Sequence, residues 1–538
     1  MMHYLLISFI LLSFTACGSN EEDTPQTLPT PTVKPNPLPF GATATPMPTQ
    51  PLVEITPIPS LDPIQPTVVP TVTPTQPVTT QPSATSSPTP SPSPSPSPTP
   101  SPTPTPEPIV ERPLTILVHG FNRDGYKREG VYGDIEPIDA NKELASIVGF
   151  STDYQGDQSN FDENIVISTT YYGKQAPAYY TQSDIDEVEN TPNGIPRYAL
   201  RVAKFAKEKM QESNATKVNF FSGSMGSLVT RYIIEKDIEN LASQNKIAKW
   251  FSAEGVVGGN YITSESWLMF ASGLFDLDAP EVDHMDYDWI NRAFGNRKVG
   301  SSPYYKNILI GFESSTKEDD LDSVLTNYLS LKGKYYPNDG YQLVKDTYFR
   351  IDNLESAYQG FQPTQSYFHE THTSLNDNIA AWNQLSLFFT SQKRVKISLT
   401  QVQVDDRNEE DNSAEIVFSS QIFSPHLYEI ANITQAIDRR DISSGILPIV
   451  YYSSNGETQV INQSLFDAFV SPDESELLLK LEGYEIDDSW RYDIDEHGDN
   501  KIDSIGSGEL NIPLKEGLYE IVGSNWLGEV KVEIIDYE

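Results

Sequence analysis

Along the middle of the chain, short apolar runs alternate with stretches of helical spacing. Leu114–Val118 (LTILV), Asn164–Thr170 (NIVISTT), Lys217–Phe221 (KVNFF), Trp250–Val257 and Asn307–Phe312 (NILIGF) are largely apolar at successive positions, as strands buried on both faces must be. Between them, residues 195–210 place Tyr198, Val202, Phe205 and Ala206 on one helical face, and residues 227–242 do the same with Leu228, Val229, Tyr232 and Ile233. Strands alternating with helices predict an α/β domain over residues 109–392, a mostly parallel sheet with helices on both faces. Residues 260–303, rich in Trp, Leu, Phe and Met, interrupt the alternation and read either as a cap over a cleft or as additional core. From Val395 the period changes to two. Val395–Val404, Ala414–Phe418, Leu477–Leu481 and Glu529–Ile535 alternate, which predicts an all-β sandwich over residues 394–538.

Before residue 109 neither period holds. Residues 4–14 (YLLISFILLSF) are an uncharged apolar run, too short to span a bilayer as a mature helix. Thr15, Ala16 and Cys17 follow, and Cys17 is the only cysteine, which excludes a disulfide within the chain. This start resembles a bacterial lipoprotein signal. The resemblance implies removal of residues 1–16, lipid on Cys17 and an exported protein anchored to a bacterial cell membrane, at the outer membrane or cell surface. An ordinary secretory signal with an incidental cysteine is the alternative. Residues 17–108 then carry most of the 41 prolines among Ser and Thr. Proline removes backbone donors and blocks helix and sheet alike, so this stretch reads as a disordered, locally polyproline-II tether.

The formal net charge of -38 argues against nucleic acid as a partner, because a polyanion would repel the chain. The chemistry concentrates instead where Lys217–Phe221 runs into Ser222-Gly223-Ser224-Met225-Gly226 and then a helix. A serine at a sharp strand-to-helix turn is presented with its hydroxyl outward, and small residues two before and two after are needed because the backbones crowd there. Ser224 is thus a candidate nucleophile, and the Met225 amide, at the helix N-terminus, a candidate oxyanion donor.

The stretch VNFFSGSMGSLVTRYI, with His119-Gly120 at the end of an earlier strand, resembles the nucleophile elbow of bacterial lipases and esterases of the α/β-hydrolase superfamily. Ser222 stands where that pattern usually has glycine. The resemblance implies a second oxyanion amide from Phe121, with His119 a structural residue of its loop. It implies a base at His372, in HETHTSLNDNIAAWNQLSLFF, with His369 as runner-up. It also implies an acid at Asp339, in an Asn-Asp-Gly turn, with Asp319 and Asp320 as runners-up; a plain tight turn is the other reading of Asp339-Gly340. No cofactor for catalysis is implied.

Two acidic stretches mark the C-terminal region, one from Asp405 to Asp411 and one reading WRYDIDEHGDNKIDSIGSGELNIPL. The second resembles the calcium- and phospholipid-binding sandwiches of synaptotagmins at Asp493, Asp495, Asp503 and Gly506. Carboxylates converging at one tip would repel one another without a cation, and oxygen donors favour calcium. A solvated acidic hairpin without metal is the alternative. The leading expectation is a carboxylic-ester hydrolase acting through an acyl-enzyme on an ester or lipid substrate. Thioesterase or acyltransferase chemistry on the same fold, or a surface binding lipoprotein with an inactive hydrolase domain, are the alternatives.

Overall fold

The structure is a computed structural model that describes residues 113–122, 125–136, 142–152, 165–264, 279–315, 338–351, 363–368, 370–405, 413–424, 432–434, 451–454, 456–486 and 502–536. The signal segment, Cys17, the proline-rich tether, Asp319, Asp320, His369, Asp411, Asp493 and Asp495 lie outside the described residues.

β1 (Pro113–Val118) lies inside a large sheet. Its neighbours β3 (Val166–Thr169) and β4 (Lys217–Gly223) both run parallel to it. β5 (Ile247–Ala253), β6 (Leu309–Ser315) and β7 (Thr364–Phe368) continue the parallel series, and β2 (Ile135–Glu136) closes the far edge antiparallel to β3. Helix α1 (Ile195–Ser213) connects β3 to β4 and α2 (Met225–Glu235) connects β4 to β5. The strand order β7-β6-β5-β4-β1-β3-β2 with these helical crossovers is that of an α/β-hydrolase fold.

Side-chain alternation along each strand assigns residues to layers. Phe220 and Trp250 join the cluster that Val202, Phe205, Leu228 and Val229 supply from α1 and α2. Their neighbours Phe221 and Phe251 face the other way, onto Trp382, Leu385 and Phe388 of α3 (Ile379–Thr390). Both faces of the sheet are covered, which is why these strands read as continuous apolar runs.

A β-sandwich follows. β8 (Lys393–Val404), β10 (Thr458–Val470), β13 (Gly517–Val522) and β14 (Trp526–Asp536) form one antiparallel layer. The other holds β9 (Ser413–Phe423), β11 (Glu476–Ile486) and β12 (Ile502–Pro513), with short strands Asn432–Thr434 and Tyr451–Ser454 beside β9. Val395, Ile397 and Leu399 meet Phe418, Leu479 and Leu481 in its core.

The first layer of the sandwich is not a separate sheet. β10 pairs antiparallel with β7 at Asp467 and Gln365, so one eleven-stranded sheet runs through both halves, and Pro108–Glu538 is one compact unit. Without β10, β7 would be an exposed sheet edge. The buried Arg394 fixes the join: its Nε donates to Asp467 Oδ1 at 2.6 Å.

Several expectations change. Asp503 stands in strand β12, opposite Glu485, where a loop position was expected. The strand expected over Trp250–Val257 ends at Ala253, because Glu254 takes φ 50° and turns the chain. The helix expected to reach residue 242 stops at Glu235, with Asp237, Glu239 and Asn240 all at positive φ. The described part of 260–303 supplies core, since Val282, Met285, Ile290 and Phe294 join the cluster under α1 and α2.

Candidate active site

The turn from β4 to α2 carries Ser224 at φ 49° and ψ −125°. A non-glycine residue held there stores about 1–3 kcal/mol of backbone strain, and the neighbouring chain holds it in place. Ser224 N–H donates to Ala253 O at 3.0 Å, and Val256 N–H donates to Ser224 O at 3.0 Å. Serine fits at position 222 because its fully buried hydroxyl accepts the Trp250 indole N–H at 2.7 Å. Gly226 has no such latitude: a Cβ there would sit 2.1 Å from Val118 O and 2.5 Å from His119 O. Gly226→Ala should therefore push α2 away from β1 and tilt the elbow. We expect kcat/KM to fall at least 100-fold (order of magnitude, for a misplacement of about 1 Å) while circular dichroism stays close to that of the parent. Unchanged ester hydrolysis by Gly226→Ala would count against this packing.

The loop after β1 lies against the serine. A Cβ on Gly120 would approach Ser224 Cβ to 2.9 Å. Tyr171 Oη donates to the carbonyls of His119 at 2.7 Å and Gly120 at 3.0 Å, and Asn122 N–H donates to Tyr172 Oη at 3.3 Å. The His119 ring stacks on Tyr171 at 4.0 Å. His119 is therefore a brace of the loop, and Phe121 packs against the core from it. Met225, fully buried, is the first residue of α2, where backbone N–H groups have no partner within the helix.

His372 follows β7. Its Nε2 lies 3.1 Å from Ser224 Oγ and its Nδ1 lies 2.7 Å from Asp339 Oδ2. Asp339 is 1% exposed. Its other oxygen, Oδ1, accepts the N–H groups of Tyr341 at 2.9 Å and Gln342 at 2.6 Å, and its carbonyl accepts His372 N–H at 3.0 Å. Asn338 Oδ1 accepts Gly340 N–H at 3.0 Å, and Gly340 sits at φ 97°. The Asn-Asp-Gly segment is thus both the tight turn and the holder of the carboxylate.

His284 is occupied elsewhere. Its Nδ1 accepts Ile195 N–H at 3.1 Å, its ring stacks on Trp289 at 4.3 Å, and burial holds its pKa down to about 4.

One buried group at the site escaped the sequence reading. Glu254 is 5% exposed, with Oε2 3.5 Å from His372 Nδ1 and Oε1 accepting the Ser315 hydroxyl. The signal for it was an acid directly after an apolar strand, in Ala253-Glu254-Gly255, which was absorbed into the strand. Burial raises the Glu254 carboxyl well above the carboxylate range. Burial pulls the His372 imidazole down, but the carboxylates of Asp339 and Glu254 outweigh it and push the ring up to about 9.

Glu254, Asp339 and His372 also offer ligand atoms within 4.8 Å of one another. Asp405 lies exposed at the end of β8, its N–H donating to Asn525 O at 2.8 Å. With Asp411, Asp493 and Asp495 outside the described residues, the structure does not assemble the expected calcium ligands.

No family model matches the chain, and no curated protein matches it in sequence. In fold it is similar to the mature form of the Bacillus licheniformis lipase BlEst2, with a TM-score of 0.29 and 13% identity over 46% of this chain and 82% of the lipase. It is similar to the phospholipase PlaB of Legionella pneumophila, with a TM-score of 0.31 and 10% identity over 69% of this chain and 86% of that one. Over 27% of its length it is similar to a lipid-binding-type sandwich domain of a plant extended synaptotagmin, covering 97% of that domain with a TM-score of 0.17 and 9% identity. At such distances, what the chain does has to be read from its own residues.

Proposed function

We propose that this protein is a carboxylic-ester hydrolase of the lipase and esterase kind, acting through an acyl-enzyme on Ser224. The observation that carries the reading is the line from Asp339 Oδ2 through both nitrogens of His372 to Ser224 Oγ. Asp339 fixes the imidazole with its proton on Nδ1, so Nε2 is free to accept the serine proton. Ser224 Oγ then adds to the ester carbonyl, and the new C–O bond pushes charge onto the carbonyl oxygen. The amides of Met225 and Phe121 receive that oxyanion, each donor contributing about 2.7–4 kcal/mol in comparable sites. The intermediate collapses, His372 returns the proton to the leaving alcohol, and an acyl group remains on Ser224. Water, deprotonated by the same nitrogen, releases the acid.

The imidazole must be neutral to take the proton. A His372 pKa pushed up to about 9 therefore means that kcat/KM is low at neutral pH and rises as the pH climbs through that value. A pH–rate profile on a short p-nitrophenyl ester checks this, corrected for spontaneous alkaline hydrolysis. A rising limb centred near pH 6 would contradict the electrostatic part of the account.

The setting belongs to the same proposal: lipid on Cys17 and a proline-rich spacer would hold the catalytic part near a bacterial membrane while letting it range. A single acyl chain anchors only marginally and several anchor firmly. Feeding cells a clickable palmitate analogue should label the wild-type protein and leave Cys17→Ser unlabelled; equal labelling of both removes the anchor from the proposal.

A further inference from the structure

His372 has carboxylates on two different loops. Asp339 comes from the turn after β6 and Glu254 from the turn after β5, and both aim an oxygen at Nδ1, at 2.7 Å and 3.5 Å. Asp339 already has two backbone N–H donors on its remaining oxygen. Glu254 has the Ser315 hydroxyl on Oε1, which leaves Oε2 facing the ring. The backbone is bent to put it there: Glu254 adopts φ 50°, and its N–H is pinned to Glu313 O at 2.8 Å. A charge-bearing side chain buried at a strained position next to the base is costly for folding alone.

We propose that Glu254 is a second positioning acid for His372, able to take over the Nδ1 hydrogen bond when Asp339 is lost and setting the pH at which the base works. This rests on the hydrolase reading and extends it. In the resting site, burial keeps the Glu254 carboxyl above the usual carboxylate range. When His372 accepts the Ser224 proton, the imidazolium beside Oε2 favours the carboxylate, so Glu254 adds attraction where positive charge develops. The charged and titratable groups facing it are His372 and Asp339, Glu370 from the turn after β7, and Glu313 from β6. Glu313 is 2% exposed, and its Oε2 has no hydrogen-bond partner. Three of these four are acids, so Glu254 loses its proton only against their repulsion, with His372 as the counter-charge.

The test compares wild type, Asp339→Asn, Glu254→Gln and the double variant on a p-nitrophenyl ester, with kcat and KM measured across pH. Gln preserves an acceptor for Ser315, and thermal melts report whether each variant folds. Where a single acid orients the histidine, its amide replacement costs about 10⁴-fold. Here Asp339→Asn alone should cost no more than about 10²-fold, and the double variant should fall the further 10²-fold or more. Glu254→Gln should move the rising limb of kcat/KM to lower pH, because removing a negative neighbour makes the imidazole easier to deprotonate. Glu254→Asp, with a shorter reach, should restore part of that shift. Asp339→Asn as inactive as the folded double variant, or a limb unmoved by Glu254→Gln, overturns the proposal. Wild-type protein that hydrolyses no ester at any pH fails earlier, and sinks the hydrolase reading instead.

Discussion

Ser224→Ala and His372→Ala should each abolish ester hydrolysis while leaving the fold intact, with kcat falling by about 10⁴–10⁶. The two losses should not add in the double variant, because serine and imidazole act as one unit. Ser224 is only partly exposed and its Oγ bonds to His372 alone among the hydrogen bonds described for it, so alanine removes the reacting atom and little packing. It also removes nothing that holds the elbow, whose restraints come from backbone groups of Ala253 and Val256. A residual rate from the oxyanion donors and substrate binding should survive both replacements. Retention of a tenth of the wild-type rate by either variant would place the chemistry elsewhere.

The largest effect on stability should come from Arg231, in the helix that presents the nucleophile. Its side chain is fully buried. Nε donates to Glu235 Oε1 at 2.7 Å, Nη1 to Val257 O at 2.6 Å and Arg297 O at 3.0 Å, and Nη2 to Asn296 O at 3.0 Å and Val299 O at 3.2 Å. The guanidinium carbon lies 4.2 Å from the Phe294 ring centroid and 4.4 Å from that of Phe349. One residue thus ties α2 to the turn after β5 and to the chain around residues 296–299. Arg231→Leu leaves four carbonyls without that donor and strands the buried Glu235 carboxylate. Breaking such a pair costs about 3–5 kcal/mol, equivalent to a melting temperature lower by roughly 10 °C or more for a domain of a few hundred residues. Arg231→Lys should recover little, because one ammonium cannot reach all five acceptors. A shift below 2 °C in Arg231→Leu would show that the network contributes nothing.

What the sequence made legible was local. The elbow shows itself because an apolar strand, small residues around Ser224 and helical spacing are contiguous, and Gly226 is dictated by the nearness of β1. Asp339 was legible because Asn-Asp-Gly is a turn whatever else it does, and His372 because a terminal apolar helix follows it. Glu254 was not: its relation to His372 depends on two loops meeting, and one strand of apolar periodicity swallowed it. β7 was missed for a different reason. Its residues are Thr364-Gln-Ser-Tyr-Phe368, polar despite being mostly buried, so no apolar run marks it. β10 was obscured by Asn462 at φ 52°, close to where its register with β8 shifts, which breaks the alternation. The continuity of the sheet from β7 into β10 is a non-local pairing that no local pattern encodes.

The account stands on Ser224 being an activated nucleophile, and covalent labelling asks this directly. The folded wild-type protein, treated with a fluorophosphonate at pH 8–9 and digested, should carry one adduct, mapped by mass spectrometry to Ser224 and absent from His372→Ala on the same timescale. Folded wild-type protein that stays unmodified at Ser224 under these conditions would contradict it.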